Sequence, residues 1–228
     1  MNTVVFDDAR ELVHGAAAHL AALIAAAPGP RISVGLAGGS TPAAIYLELR
    51  RCDVDWSRVD FWLSDERWVP WHDDDSNGKM AEENLVGHVS GRYLRPRWAP
   101  WLEPDQSAAQ YEEELRTLHS DEHPPDLILL GMGNDGHCAS LFPGTEALSV
   151  TDRWYVGNFV PSLEVWRLTT TFALLDLARQ IVFMIGGASK AEALARVANG
   201  EDLPTTRVSK GRAPVTFLLD RAAAGLIA

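Results

Sequence analysis

The chain has 228 residues, 46% hydrophobic and 22% charged, with a net charge of −11 and a pI of about 5.0. Such globular composition supplies a sizeable core and excludes disorder as the default. The acidic balance, with no basic patch, argues against a nucleic-acid or anionic-membrane surface, while leaving room for a small anionic ligand held by a few cations in a cleft.

Strand-like and helix-like segments alternate from end to end. Residues 3–6 form a short apolar strand candidate. Residues 8–27 read as a helix that stops at Pro28-Gly29-Pro30. Asp7, Asp8, Arg10 and Glu11 interrupt any early apolar run, so no secretory leader is expected. The Ala-rich stretch that follows is too short, and too broken by His14 and His19, to span a bilayer. A strand at 31–36 precedes a helix to about residue 51, with Thr41 as N-cap and Pro42 at the first helical position. Strand 59–63 leads into a long polar loop reaching about Asn77, then a helix around 80–88 and a charged helix over 105–119. Strands are expected at 126–130, 154–159, 180–185 and 214–219, and helices at 172–178 and 188–199.

Short continuous apolar strands alternating with helices predict an α/β fold: a Rossmann-like, largely parallel sheet covered by helices on both faces. One domain over residues 1–228 is expected, with room for a small subdomain within 70–125. Ligands of such folds sit beyond the C-terminal ends of the strands, which directs attention to four loops.

The first loop, Gly35-Leu36-Ala37-Gly38-Gly39-Ser40-Thr41-Pro42, offers converging backbone N–H groups, two hydroxyls and a helix N-terminus. It is a phosphate cradle by chemistry, although a plain tight turn with a helix cap reads almost as well; the Walker A ending is missing. The second opens Ser64-Asp65-Glu66-Arg67. Three charged residues together usually read as a solvated surface run, but the apolar strand before them and the Trp- and Pro-rich stretch after them favour a structured loop. In such a loop Arg67 could hold a phosphate through its guanidinium fork, and Asp65 could orient a base or a substrate hydroxyl.

The third, Gly131-Met132-Gly133-Asn134-Asp135-Gly136-His137, matches G-x-G-x-x-G. A dinucleotide site is rejected, because Pro143-Gly144 arrives before a full crossover helix can form. What remains is His137 at the expected start of a short helix, whose dipole would keep the imidazole neutral, as a general base must be. A hydrogen-bonded structural histidine is the usual reading of a lone His, and the glycines around it favour function. The fourth, Ile185-Gly186-Gly187-Ala188-Ser189-Lys190, repeats the strand, Gly-Gly, helix pattern and carries one of the chain's three lysines, the others being Lys79 and Lys210. A cation in a first helical turn opposes the dipole and points to an anion nearby; a snorkelling surface lysine fits the spacing equally well.

The histidines show no metal-ligand spacing, HEXXH is absent, and no G-x-S-x-G elbow anchors a serine nucleophile. Cys52 and Cys138 lie far apart, and a reduced, cytoplasmic compartment suits them.

Together, Gly38-Gly39-Ser40-Thr41-Pro42, Asp65-Glu66-Arg67 with Val69-Pro70 and Ser76-Asn77, Leu130 to His137 with Ser140-Leu141-Phe142-Pro143-Gly144, Arg167-Leu168-Thr169 and Gly186 to Lys190 resemble, in order over nearly the whole chain, the glucosamine-6-phosphate isomerase/6-phosphogluconolactonase family. The Asp-Gly-His block followed by Ser-Leu-Phe-Pro resembles its lactonase branch. The resemblance implies a Rossmann-like fold shared with glucosamine-6-phosphate deaminase. It also implies hydrolysis of 6-phospho-D-glucono-1,5-lactone without metal or nucleotide. His137 would be the general base, with Asp65 beside the base or the sugar. Arg67, Arg167, Lys190 and the cradle of Gly38, Gly39, Ser40 and Thr41 would bind substrate and its phosphate. Ala37 and Cys138 depart from the family's usual Ser and Thr, each removing a hydroxyl. The alternatives are an amino-sugar-phosphate deaminase or isomerase, and a non-catalytic sugar-phosphate sensor; sensors of that kind usually carry a DNA-binding segment, for which a first strand at residue 3 leaves no space.

Overall fold

The computed structural model describes residues 1–227. In chain order the elements are β1 (Asn2–Phe6), α1 (Ala9–Ala26), β2 (Ile32–Leu36), α2 (Ser40–Leu49), β3 (Val59–Leu63), β4 (Asp65–Arg67), α3 (Asn77–Asn84), β5 (Arg92–Tyr93), α4 (Pro104–Leu118), β6 (Leu127–Leu130), β7 (Tyr155–Val160), β8 (Val165–Thr170), α5 (Phe172–Leu175), β9 (Ile181–Ile185), α6 (Ala191–Ala198), α7 (Pro204–Ser209) and β10 (Val215–Asp220).

Seven strands form one sheet in the order β1-β10-β9-β6-β2-β3-β5, every neighbouring pair parallel. Its inner strands β6 and β9 are apolar and buried on both faces because both faces are covered, whereas the edge strands β1 and β5 are largely exposed. In β9, Val182 and Met184 join Leu12, Leu20, Ile45 and Leu36 in one core, while Ile181, Phe183 and Ile185 join Tyr111, Leu194 and Phe217 in the other. The alternation of a strand's side chains thus feeds two cores from one continuous apolar run. From β2 the chain moves outward one way to β3 and β5 and the other way to β6, β9 and β10. The order therefore reverses at the β2–β6 boundary, where doubly wound sheets open a crevice.

Helix α1 starts as expected: Asp8 caps it by accepting from Glu11 N at 2.8 Å. Other boundaries differ. Helix α2 begins at Ser40 behind Gly39, whose φ of +107° suits glycine, so Thr41 lies inside the helix instead of capping it. Helix α3 begins at Asn77, capped by Ser76, three residues earlier than the sequence indicates. The segment at 155–160 is a strand, but not of the parallel sheet. With β4 and β8 it forms a separate three-stranded antiparallel sheet, order β4-β8-β7. The expected loop after residue 63 holds β4, and no helix forms around His137: residues 131–141 are turns closed by a Cys138–Leu141 bridge.

Candidate functional site

A cleft of about 560 Å³ opens at the β2–β6 boundary, lined from all four strand-end loops and from β8. Gly38, Gly39, Ser40, Thr41, Asp65, Arg67, His137, Arg167 and Lys190 all lie on its wall. The four loops converge because each follows a strand of one parallel layer.

Three of the loops are each held by a buried polar group. Tyr46 fixes the first: its hydroxyl accepts from Ala37 N at 2.9 Å and donates to Ala37 O at 3.1 Å. Both backbone groups of Ala37 are thereby committed without a side-chain hydroxyl. Asn77 stands so close over Gly38 that a Cβ there would meet its amide at 1.8 Å. Glu66 fastens the second loop. Its carboxylate accepts from Arg67 N and Asn77 N at 2.7 Å, Gly78 N at 2.8 Å and Ser76 Oγ at 2.9 Å, tying β4 to the start of α3. The charged run at 65–67 is therefore built structure. The fourth loop hangs from Asp220, whose Oδ2 accepts from Gly187 N at 2.8 Å where the chain passes through φ +92°.

His137 does not owe its state to a helix dipole, since no helix is there. Asp135 Oδ1 lies 2.6 Å from His137 Nδ1 and also accepts from His137 N at 3.1 Å. Burial pushes the Asp135 carboxyl up, but the hydrogen bonds and charge of His137 outweigh it and hold the group below its ordinary value. An ionised carboxylate can only accept, so Nδ1 carries a proton, and in the neutral ring that tautomer leaves the lone pair on Nε2. Phe142 stacks on the ring at 3.9 Å between centroids, fixing its plane. A Cβ at Gly133 would meet the imidazole at 2.2 Å, which explains the glycine. The carboxylate that orients His137 is therefore Asp135, which sequence reasoning did not single out, although its D-x-H spacing was visible.

Asp65 has other company. It is buried, and its Oδ2 accepts from Ser140 Oγ at 2.7 Å. The structure brings Asp65 to the cleft but not to the imidazole edge.

Three cations line the cleft: Arg67, Arg167 and Lys190. Arg67 and Arg167 are register partners across β4 and β8. Arg67 Nη1 donates to Asp75 O at 2.6 Å, while Arg167 Nε is buried without a partner. Burial, and then the charge of Arg67, disfavour the Arg167 cation, opposed by Asp65, Asp75 and Glu66. Burial likewise pulls the Lys190 ammonium down, with the Asp135 charge opposing. Three cations thus line one cleft, and burial disfavours the charge on two of them, Arg167 and Lys190. Cys138 offers no nucleophile, because burial pushes its thiol up to about 12. Among the described residues no group of three or more His, Cys, Asp or Glu side chains could hold a metal ion, and no helix is long and apolar enough to cross a membrane.

Fold and cleft together define a doubly wound α/β protein with a cation-lined cleft and an Asp–His pair at the sheet's reversal point. Residues 7–217 match the family model described as glucosamine-6-phosphate isomerases/6-phosphogluconolactonase, and the chain belongs to that family. It is 38% identical to the 6-phosphogluconolactonase of Synechocystis sp. over 84% of this chain and 82% of the relative. It superposes on the 6-phosphogluconolactonase of Trypanosoma brucei with a TM-score of 0.88 at 28% identity, covering 100% of this chain and 98% of the other. A monomeric glucosamine-6-phosphate deaminase matches with a TM-score of 0.82 at 26% identity, covering 99% of this chain and all of the other.

Proposed function

We propose that this protein is a 6-phosphogluconolactonase, hydrolysing 6-phospho-D-glucono-1,5-lactone to 6-phospho-D-gluconate in the oxidative pentose phosphate pathway. The observation that carries the reading is the meeting of two chemistries in one cleft: an imidazole oriented by Asp135, and the cations Arg67, Arg167 and Lys190 in its lining. Relatives that match over most of both chains bear that name.

The proposed mechanism uses both. The lactone's phosphate binds against the arginines, Lys190 and the cradle at Gly38 to Thr41, fixing the ring at the β2–β6 crevice. Binding energy from this remote group positions C1. His137 Nε2 takes a proton from water, and the oxygen attacks C1. The tetrahedral intermediate collapses as the bond from C1 to the ring oxygen breaks, and the imidazolium returns its proton to that oxygen. Asp135 stabilises the imidazolium and holds the tautomer. General-base help of this kind contributes about 10²–10⁴-fold. Asp65 takes a sugar hydroxyl.

The second reading, an amino-sugar-phosphate deaminase, is favoured by the structural likeness to the monomeric deaminase. Two assays on one preparation separate them. Ring opening of the phosphorylated lactone, corrected for spontaneous hydrolysis, is expected, with no ammonia from glucosamine 6-phosphate. The reverse pattern overturns the proposal.

A further inference from the structure

Asp65 and His137 reach the cleft from different elements, and one short segment touches both. Three residues beyond His137, Ser140 donates its hydroxyl to Asp65 Oδ2 at 2.7 Å, with both side chains buried. It is the one side-chain hydrogen bond of the Asp65 carboxylate among the described residues. The remaining polar groups of Ser140 are also committed. Its N–H donates to Thr169 Oγ1 at 3.1 Å, and its carbonyl accepts from Asn158 Nδ2 at 2.8 Å. The backbone is thus pinned independently of the hydroxyl. Between the two residues, Ala139 holds φ +48°, a left-handed conformation uncommon for a residue with a Cβ, on the wall of the cleft. Strain of this kind persists where the surroundings over-determine it, and it clusters at functional sites.

We propose that Ser140 is a positioning residue: its hydroxyl holds the Asp65 carboxylate in one orientation, leaving Oδ1 for a hydroxyl of the bound sugar. A buried serine could satisfy its hydroxyl on a nearby carbonyl. Here it reaches from the loop after β6 to a carboxylate on β4, so that the turn carrying His137 also sets the distance between Asp65 and the imidazole. The strained turn at Ala139 is what brings both contacts within four residues. This inference rests on the reading of Asp65 as a sugar contact.

The test is a double-mutant cycle in lactone hydrolysis, with melting temperatures measured alongside. Ser140→Ala keeps the pinned backbone and is expected to lower kcat/KM about 10- to 100-fold, the usual worth of a hydrogen bond to a charged group. Ser140→Thr should retain most activity, and Ser140→Cys, a weaker donor of similar size, should fall between. In an Asp65→Asn background, Ser140→Ala should cost less than about threefold more, because its effect runs through the carboxylate. A merely structural role predicts an equal loss in both backgrounds together with a lower melting temperature, and that result overturns the proposal. Wild-type kinetics of Asp65→Asn would remove the role of Asp65 and this inference with it, while leaving the lactonase reading intact. Absence of lactone hydrolysis by the unaltered protein would instead overturn that reading.

Discussion

Arg67 and Arg167 stand opposite one another across the β4–β8 pair, and the inner guanidinium, that of Arg167, has a buried Nε with no partner. Like charges directly opposite on a sheet are destabilising. The arrangement costs stability in the free protein, and the proposed phosphate would relieve it. Arg167→Met should weaken 6-phosphogluconate binding at least ~30-fold, the equivalent of about 2 kcal/mol. The same change should leave the melting temperature of the free protein equal or higher. Calorimetric titration beside thermal melting checks both. Unchanged affinity would remove Arg167 from the phosphate site.

Asp135 bonds the imidazole edge at 2.6 Å. In Asp135→Asn the amide can offer its NH₂ to Nδ1 and favour the other tautomer, with the lone pair turned away from the cleft. The expected result is a fall in kcat on the order of 10²-fold or more with KM little changed, since the orienting contact matters once the imidazolium forms. Steady-state kinetics decide it. An equal rise in KM with kcat preserved would make Asp135 a substrate ligand instead.

Much of this was legible in the sequence, and the losses have identifiable causes. The parallel strands announced themselves because burial on both faces makes them uninterrupted apolar runs, as in Ile181–Ile185. The glycines at 38, 39, 186 and 187 marked two loops correctly, because positive φ and close approach leave few alternatives. Strand β4 was hidden: Asp65, Glu66 and Arg67 are polar, and the buried Glu66 carboxylate is satisfied by Ser76, Asn77 and Gly78, ten or more residues on. The helix expected at His137 did not form, since the segment bonds to itself through Asp135 and a Cys138–Leu141 bridge. For the same reason the dipole argument for His137 gives way to a carboxylate partner two residues before it. Local side-chain bonding of this kind is invisible to periodicity.

A buried histidine far from the cleft gives a pH signature of stability. His119 is 4% exposed, with Ser33 Oγ 3.2 Å from its Nε2 and Trp62 edge-on to its ring. Burial, only partly opposed by the charge of Asp60, lowers its pKa to about 4 from an ordinary 6.5. As pH falls below 6.5 the unfolded chain takes up this proton first, so stability decreases down to about pH 4, by at most roughly 3 kcal/mol. Urea denaturation at pH 7 and pH 5 should show a steeper loss for the wild type than for His119→Gln. Identical slopes would contradict the assignment.

Chelation supplies another check. The residues of the cleft form no metal-binding group, and the proposed chemistry runs on an imidazole and the cations of the cleft. Activity after EDTA treatment and desalting should equal that of untreated protein. Loss on chelation with recovery on adding a divalent ion would show that the reaction needs more than these side chains.

The most direct test follows a single turnover of the phosphorylated lactone by wild type and His137→Ala, with 6-phosphogluconate binding and melting temperature recorded on the same samples. The wild type should open the lactone well above the spontaneous rate. His137→Ala should bind the product and melt like the wild type, yet turn over at least ~10²-fold more slowly. A stable, ligand-binding His137→Ala protein with wild-type turnover would contradict the central claim that His137, oriented by Asp135, activates the water.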